Sequence, residues 1–173
     1  LMVGLGRQEE LTAEKIRVAF AVAARRIRDI AVKEFALSTD FGFADPVPEL
    51  TTAAAVEGML LGLYRYTPFK TKTDESGAIE SIVIIDTRSG NRKTMARTVR
   101  EAHILCEAVY HARDLVSAPA NEMTPALLAR DARRLDGVPS LSVKIIEAPA
   151  MKRMGMNALL SVGGGSCNPP KLI

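Results

Sequence analysis

Cysteine, aromatic residues and long apolar runs are all scarce in this sequence, and each scarcity closes a class of function. Only two cysteines, Cys106 and Cys167, stand among the 173 residues. That is too few for a disulfide framework, so a reducing cytoplasm is the expected compartment. No uninterrupted apolar stretch reaches the roughly 18 residues that a membrane-spanning helix needs, so no membrane partner is expected. The opening residues carry Arg7, Glu9, Glu10, Glu14 and Lys15 where a secretory signal has a basic cluster and then an apolar stretch. Aromatic side chains make up 5% of the chain, which speaks against single-stranded nucleic acid read by base stacking. The 23 basic and 20 acidic side chains nearly cancel, and the net +3 permits an acidic partner without pointing to one. What the chain does have is a hydrophobic share of 47%, ordinary for a globular protein and too high for a disordered one. At about 150 residues per domain, one domain or a divided one is expected.

The two ends read as interior sequence. Leu1 to Leu5 is an apolar run with the look of a buried strand, and no lead-in precedes it. Pro170-Lys171-Leu172-Ile173 opens an extended apolar segment just as the sequence stops. Strand backbones want ladder partners, so the expectation is an interior piece of a longer protein.

Between the ends, helical and strand-like patterns alternate. Thr12 is placed to cap a helix in which Ile16, Ala19, Phe20, Ala23 and Ile27 share one face, with Arg17, Arg25 and Arg28 mostly facing away. Val32 to Leu37 is strand-like, and Asp40-Phe41-Gly42 through Pro46 and Pro48 reads as a loop. Thr51 or Thr52 is the expected cap of a nearly all-apolar helix running to about Tyr64, with Ala54, Gly58 and Gly62 on one face. Glycines so spaced let a neighbouring element approach, despite a cost of roughly 1 kcal/mol per helical glycine. After the polar stretch from Lys70 to Gly77, Ile79 to Ile85 is expected as a second buried strand. Asn91 is the expected cap of a long helix from about Arg92 to Val116, whose apolar positions are Val99, Ala102, Leu105, Cys106, Val109, Ala112 and Val116. At that length the helix can bridge two structural units.

Beyond the loop from Ser117, Thr124-Pro125 pairs an N-cap with proline at the first helical position. A short helix from Leu127 to Leu135 stops at Gly137. A strand at Val143 to Ile146, a helix around Met151 and Met154, a strand from Ala158 to Val162 and Gly163-Gly164-Gly165 complete the pattern. The alternation predicts an α/β fold with a parallel or mixed sheet flanked by helices.

Few residues offer chemistry. His103, Cys106 and His111 recur along the long helix, but zinc needs three or four ligands close together and no second Cys/His pair exists, so core and surface positions are expected. Gly163-Gly164-Gly165-Ser166 after a strand suggests a phosphate cradle, yet no Walker lysine follows and Asn168-Pro169-Pro170 blocks a helix start, so a plain loop is expected. Asp114, Glu122 and Asp131 are scattered and form no acid/base pair. The one charge run is Arg88, Arg92, Lys93, Arg97 and Arg100, with no acidic residue from Thr87 to Arg100. Such a run is either a solvated face or a contact for phosphate or DNA, because cations at a helix start oppose the macrodipole and are better satisfied by an anion.

The long helix and its following loop carry a resemblance. Ala112-Arg113-Asp114-Leu115-Val116 with Pro119-Ala120-Asn121-Glu122-Met123-Thr124-Pro125 resembles the signature joining the two domains of leucyl (cytosol) aminopeptidases. Three further stretches agree in order: Val3-Gly4-Leu5-Gly6 with Glu10-Leu11-Thr12, Leu60-Leu61-Gly62-Leu63-Tyr64-Arg65, and Met154 through Ser166. Ser117-Ala118 departs from the Asn-Thr of many members, in a loop where little depends on it.

That resemblance implies a two-domain metallopeptidase that releases N-terminal amino acids from peptides. Its two divalent ions, zinc, manganese or magnesium, are held in the catalytic domain, and its usual assembly is a hexamer. The implied division is residues 1–90 as the later part of a macro-domain-like N-terminal domain, 91–117 as the interdomain helix, and 118–173 as the opening of the catalytic domain. The family's metal-ligand stretches, Gly-Lys-Gly … Asp-Ser-Gly-Gly and Asn-Thr-Asp-Ala-Glu-Gly-Arg, are not in this sequence. The resemblance therefore assigns no catalytic and no metal residue here, and the chain alone is expected to be inactive. The alternative is a DNA-binding or regulatory role using the Arg88–Arg100 stretch. Nucleotide binding through a macro-like fold lacks a visible phosphate loop.

Overall fold

A computed structural model describes residues 1–38, 48–71, 79–85 and 92–173. The chain forms two compact units, Leu1–Ala112 and Arg113–Ile173.

Among the described residues the first unit is built on three α-helices and a small parallel sheet. Helix α1 (Ala13–Asp29) starts as expected: the Thr12 hydroxyl accepts from the Lys15 backbone N–H at 3.2 Å. Helix α2 (Pro48–Leu63) begins one turn earlier than expected. Pro48 fits a first turn, where its missing N–H has no partner to serve. Thr51 and Thr52, expected as caps, are instead buried in the body of α2.

Strands β1 (Glu34–Ser38) and β2 (Ser81–Ile85) pair in parallel, with Phe35 opposite Ile82 and Leu37 opposite Ile84. A parallel pair needs a crossover, and α2 lies between the two strands in sequence. Lys33 and Glu80 align the strand entrances, with their charged ends 2.7 Å apart. That hydrogen bond raises the Lys33 pKa above its ordinary value.

Two apolar clusters fill the space between α1, α2 and the sheet. Ile16, Ala54 and Ala55 form one; Ala24, Leu37 and Met59 form the other, supported by Phe35, Leu63, Ile82 and Ile84. Phe20 packs against both.

Small residues bring α1 and α2 into backbone contact. A Cβ on Gly58 would lie 2.2 Å from the Arg17 carbonyl oxygen, and one on Gly62 would lie 2.8 Å from the Ala21 Cα. At the same crossing the Arg17 side chain turns towards α2 rather than away from it as the helical pattern predicts. Its Nε and Nη2 donate to Glu57 Oε2 at 2.9 and 2.7 Å, and Nη1 reaches Glu14. The Glu57 bond, more than any other contact, raises the Arg17 pKa above its ordinary value.

Helix α3 (Arg92–Ser117) meets the same α2 through Cys106 and Tyr110. Its buried stripe is Thr98, Ala102 and Cys106, continued by Tyr110, whose hydroxyl donates to the Leu60 carbonyl and whose ring lies 5.1 Å from that of Tyr64. The apolar pattern places this stripe imperfectly, since Leu105 and Val116 are exposed.

Two further expectations for this unit change. Leu1–Leu5 is not a strand: among the described residues β1 and β2 pair only with each other, which leaves the segment no ladder partner. Leu1 and Met2 are exposed, while Leu1, Val3 and Leu5 turn towards a cleft beside α1. Strand β2 is buried on one side only, because Ile82 and Ile84 face the core and the alternating Val83 and Ile85 are exposed.

In the second unit, the Thr124 hydroxyl caps helix α4 (Pro125–Ala132), accepting from Leu127 N–H at 3.4 Å. A 3₁₀ turn, Arg133–Leu135, extends it. Strands β3 (Ile146–Glu147) and β4 (Lys171–Leu172) pair antiparallel, with Lys171 Nζ 2.6 Å from the Glu147 carboxylate. Helix α5 (Ala148–Arg153) buries Met151 completely. Of the expected strand at Val143 to Ile146 only Ile146 pairs; the Val143 N–H donates to the Asp136 carboxylate instead. The expected strand from Ala158 to Val162 is helix α6 (Asn157–Gly163). Four apolar residues in a stretch of five carry no decisive period, and Val162 at 89% exposure is no core strand residue.

Replacing Gly58 with alanine tests the α1–α2 contact. Alanine gains about 1 kcal/mol of helix propensity, but the added methyl meets backbone rather than a yielding side chain. A net loss of about 1–3 kcal/mol is expected in urea unfolding. A midpoint at or above that of the parent would show that the two backbones do not touch there.

Candidate functional site

Three features deserve weighing as sites: the basic start of α3, its His/Cys positions, and an apolar cleft. Arg88 lies outside the described residues, as does Asn91. Arg92, Lys93, Arg97 and Arg100 are all exposed on the opening turns of α3. Lys93, Arg97 and Arg100 recur at helical spacing and so share a face, with Arg92 beside them. The first turn of α3 contains no acidic residue, so its positive dipole end is left to these cations. Arg97 Nε stands 3.7 Å from Glu101 Oε1, an exposed pair that solvent screens to little net strength. On the other side of α3, Thr98, Ala102 and Cys106 are buried, and Cys106 meets the α2 backbone at Glu57.

The His/Cys positions are not brought together. Cys106 is buried, its Sγ 4.0 Å from the Glu57 carbonyl oxygen. His103 is exposed one turn earlier, with Nδ1 3.9 Å from Glu107 Oε1, and His111 is exposed further along. Among the described residues no three His, Cys, Asp or Glu side chains gather so as to hold a metal ion. The scattered carboxylates stay scattered: Asp114 is on α3, Glu122 follows it in the loop, and Asp131 on α4 pairs with Arg134 at 3.3 Å.

Gly163-Gly164-Gly165 sits differently from the sequence reading. It begins on the last residue of helix α6 rather than after a strand, so it sits at the carbonyl end of a helix, the wrong end for an anion. A Cβ on Gly163 would lie 2.8 Å from Pro170 Cγ, so this glycine serves the chain's return towards β4.

The cleft, about 440 Å³, lies between the Leu1–Leu5 segment, α1 and β1. Ser38 is the one polar residue among those lining it; Phe20, Ile27, Ile30 and Phe35 are typical of the rest. Such a lining accepts apolar surface, and among its described residues no acid or base stands beside the Ser38 hydroxyl. The contacts that sequence reasoning missed, Arg17–Glu57 and Tyr110–Leu60, join residues 40 and 50 positions apart, and no local spacing signals them.

Thiol labelling separates the two cysteines. In the folded chain an aromatic disulfide reagent should modify exposed Cys167 promptly and reach Cys106, at 1% exposure, only on unfolding. Two equally fast thiols would contradict the α2–α3 packing.

Comparison with known proteins supplies what this geometry does not. Residues 1–73 match the family model described as "Cytosol aminopeptidase family, N-terminal domain", and residues 110–173 match that of the same family's catalytic domain. The whole chain aligns with a probable cytosol aminopeptidase of Geobacter sp. (strain M21) at 39% identity, covering 35% of that relative. One of Clostridium perfringens (strain 13 / Type A) is 35% identical, again over the whole chain and 35% of its own length. Among solved structures, a mutant of tomato leucine aminopeptidase superposes with a TM-score of 0.83 at 27% identity, over 97% of this chain and 34% of that one. The bottromycin maturation enzyme BotP in complex with Mn gives 0.80 at 28% identity, over 98% and 34%. The chain thus spans about a third of the length of the curated relatives it matches. No helix among the described residues is long and apolar enough to cross a membrane. With its two domain models in order and relatives aligned from end to end, the chain belongs to the cytosol aminopeptidase family.

Proposed function

We propose that this chain is the non-catalytic N-terminal portion of a leucyl aminopeptidase, an exopeptidase that releases N-terminal amino acids from peptides in the cytoplasm. The observation that carries this reading is the ordered match to both domain models of one family. The division follows the same reading: 1–90 as part of a macro-like N-terminal domain, 91–117 as the interdomain helix, and 118–173 as the opening of the catalytic domain. Support comes from α3, one unbroken helix that contains both the start of the catalytic-domain match and the boundary between the two compact units.

Two divalent ions, zinc, manganese or magnesium, belong to the full-length protein in this proposal, and BotP solved with Mn is consistent with that. When bound, such a pair supplies an activated water and an anchor for the substrate's amine. The described residues of this chain do not fit such a pair, because none of them gather into a metal-ligating group. No hydrolytic step is therefore derived for them. The full-length assembly would be a homo-oligomer, a hexamer in keeping with the family resemblance.

The chain alone should release no leucine from a leucyl chromogenic amide, with or without added manganese or zinc. Metal-dependent turnover at rates typical of a full-length relative assayed in parallel would overturn this.

A second reading rests on the exposed Arg92, Lys93, Arg97 and Arg100 face: a DNA-binding or regulatory role, with Arg88 as a further candidate. Each phosphate neutralised contributes about −0.9 to the salt slope of duplex binding. Replacing Arg92, Lys93 and Arg97 together with alanine should abolish a duplex gel shift and flatten its salt dependence. A shift that survives the triple replacement, or is insensitive to salt, counts against this face as the contact.

A further inference from the structure

We draw no further inference here: the strongest candidate, the apolar cleft between the Leu1–Leu5 segment, α1 and the edge of β1, is an unpartnered apolar surface, and nothing in the structure shows what covers it.

Discussion

Gly58 and Gly62 set how near α1 and α2 can come, and the first unit is arranged around that distance. With no side chains at these positions, the α2 backbone lies directly on Arg17 and Ala21. The close approach keeps Ala54 and Ala55 sealed against Ile16 and lets Met59 meet Ala24 and Leu37 beneath the sheet. It also places Glu57 within reach of Arg17, so a charged pair closes the rim of the same crossing. Two helical glycines cost helix propensity, about 1 kcal/mol each, and close-packed apolar surface offsets that. The arrangement leaves no slack: a helix displaced by one methyl loses contacts along its whole length.

Much of the fold is legible in the sequence where a signal is local. Thr12 and Thr124 announce their helices because a capping hydroxyl serves an N–H only three residues on. The long period of α3 and the existence of β1 and β2 are likewise read from residues near each other. Failures arise where tertiary partners decide. Asn157 to Gly163 carries apolar residues that suit strand or helix, and its Ser161 hydroxyl settles onto the Asn157 carbonyl of a helical turn. Leu1–Leu5 has the composition of a strand, but a strand is defined by its neighbour. Thr98 is buried and Leu105 exposed, a choice that the apolar period of α3 does not contain.

The candidate site divides in the same way. Sequence alone marks the basic run, and the structure adds that its described members lie exposed and that their helix is held from the other side. Sequence also marks His103 and Cys106 as neighbours, and the fold sends one outward and the other inward. Among the described residues no three His, Cys, Asp or Glu side chains gather as a metal-holding group. The described residues form a helix-packed sheet and a small second unit stapled by Lys171 and Glu147.

The placement of α2 between its neighbours has a consequence for the order of assembly. Arg17 waits for Glu57, 40 positions on; Lys33 waits for Glu80, 47 on; and Cys106 and Tyr110 reach back 49 and 50 positions to the same helix. Every one of these closures joins distant parts of the chain, and such closures are slow and costly until partner surface exists. In the second unit the Lys171–Glu147 closure spans only 24 positions. Within these residues the contacts of α1 with α2 form only once α2 has followed it.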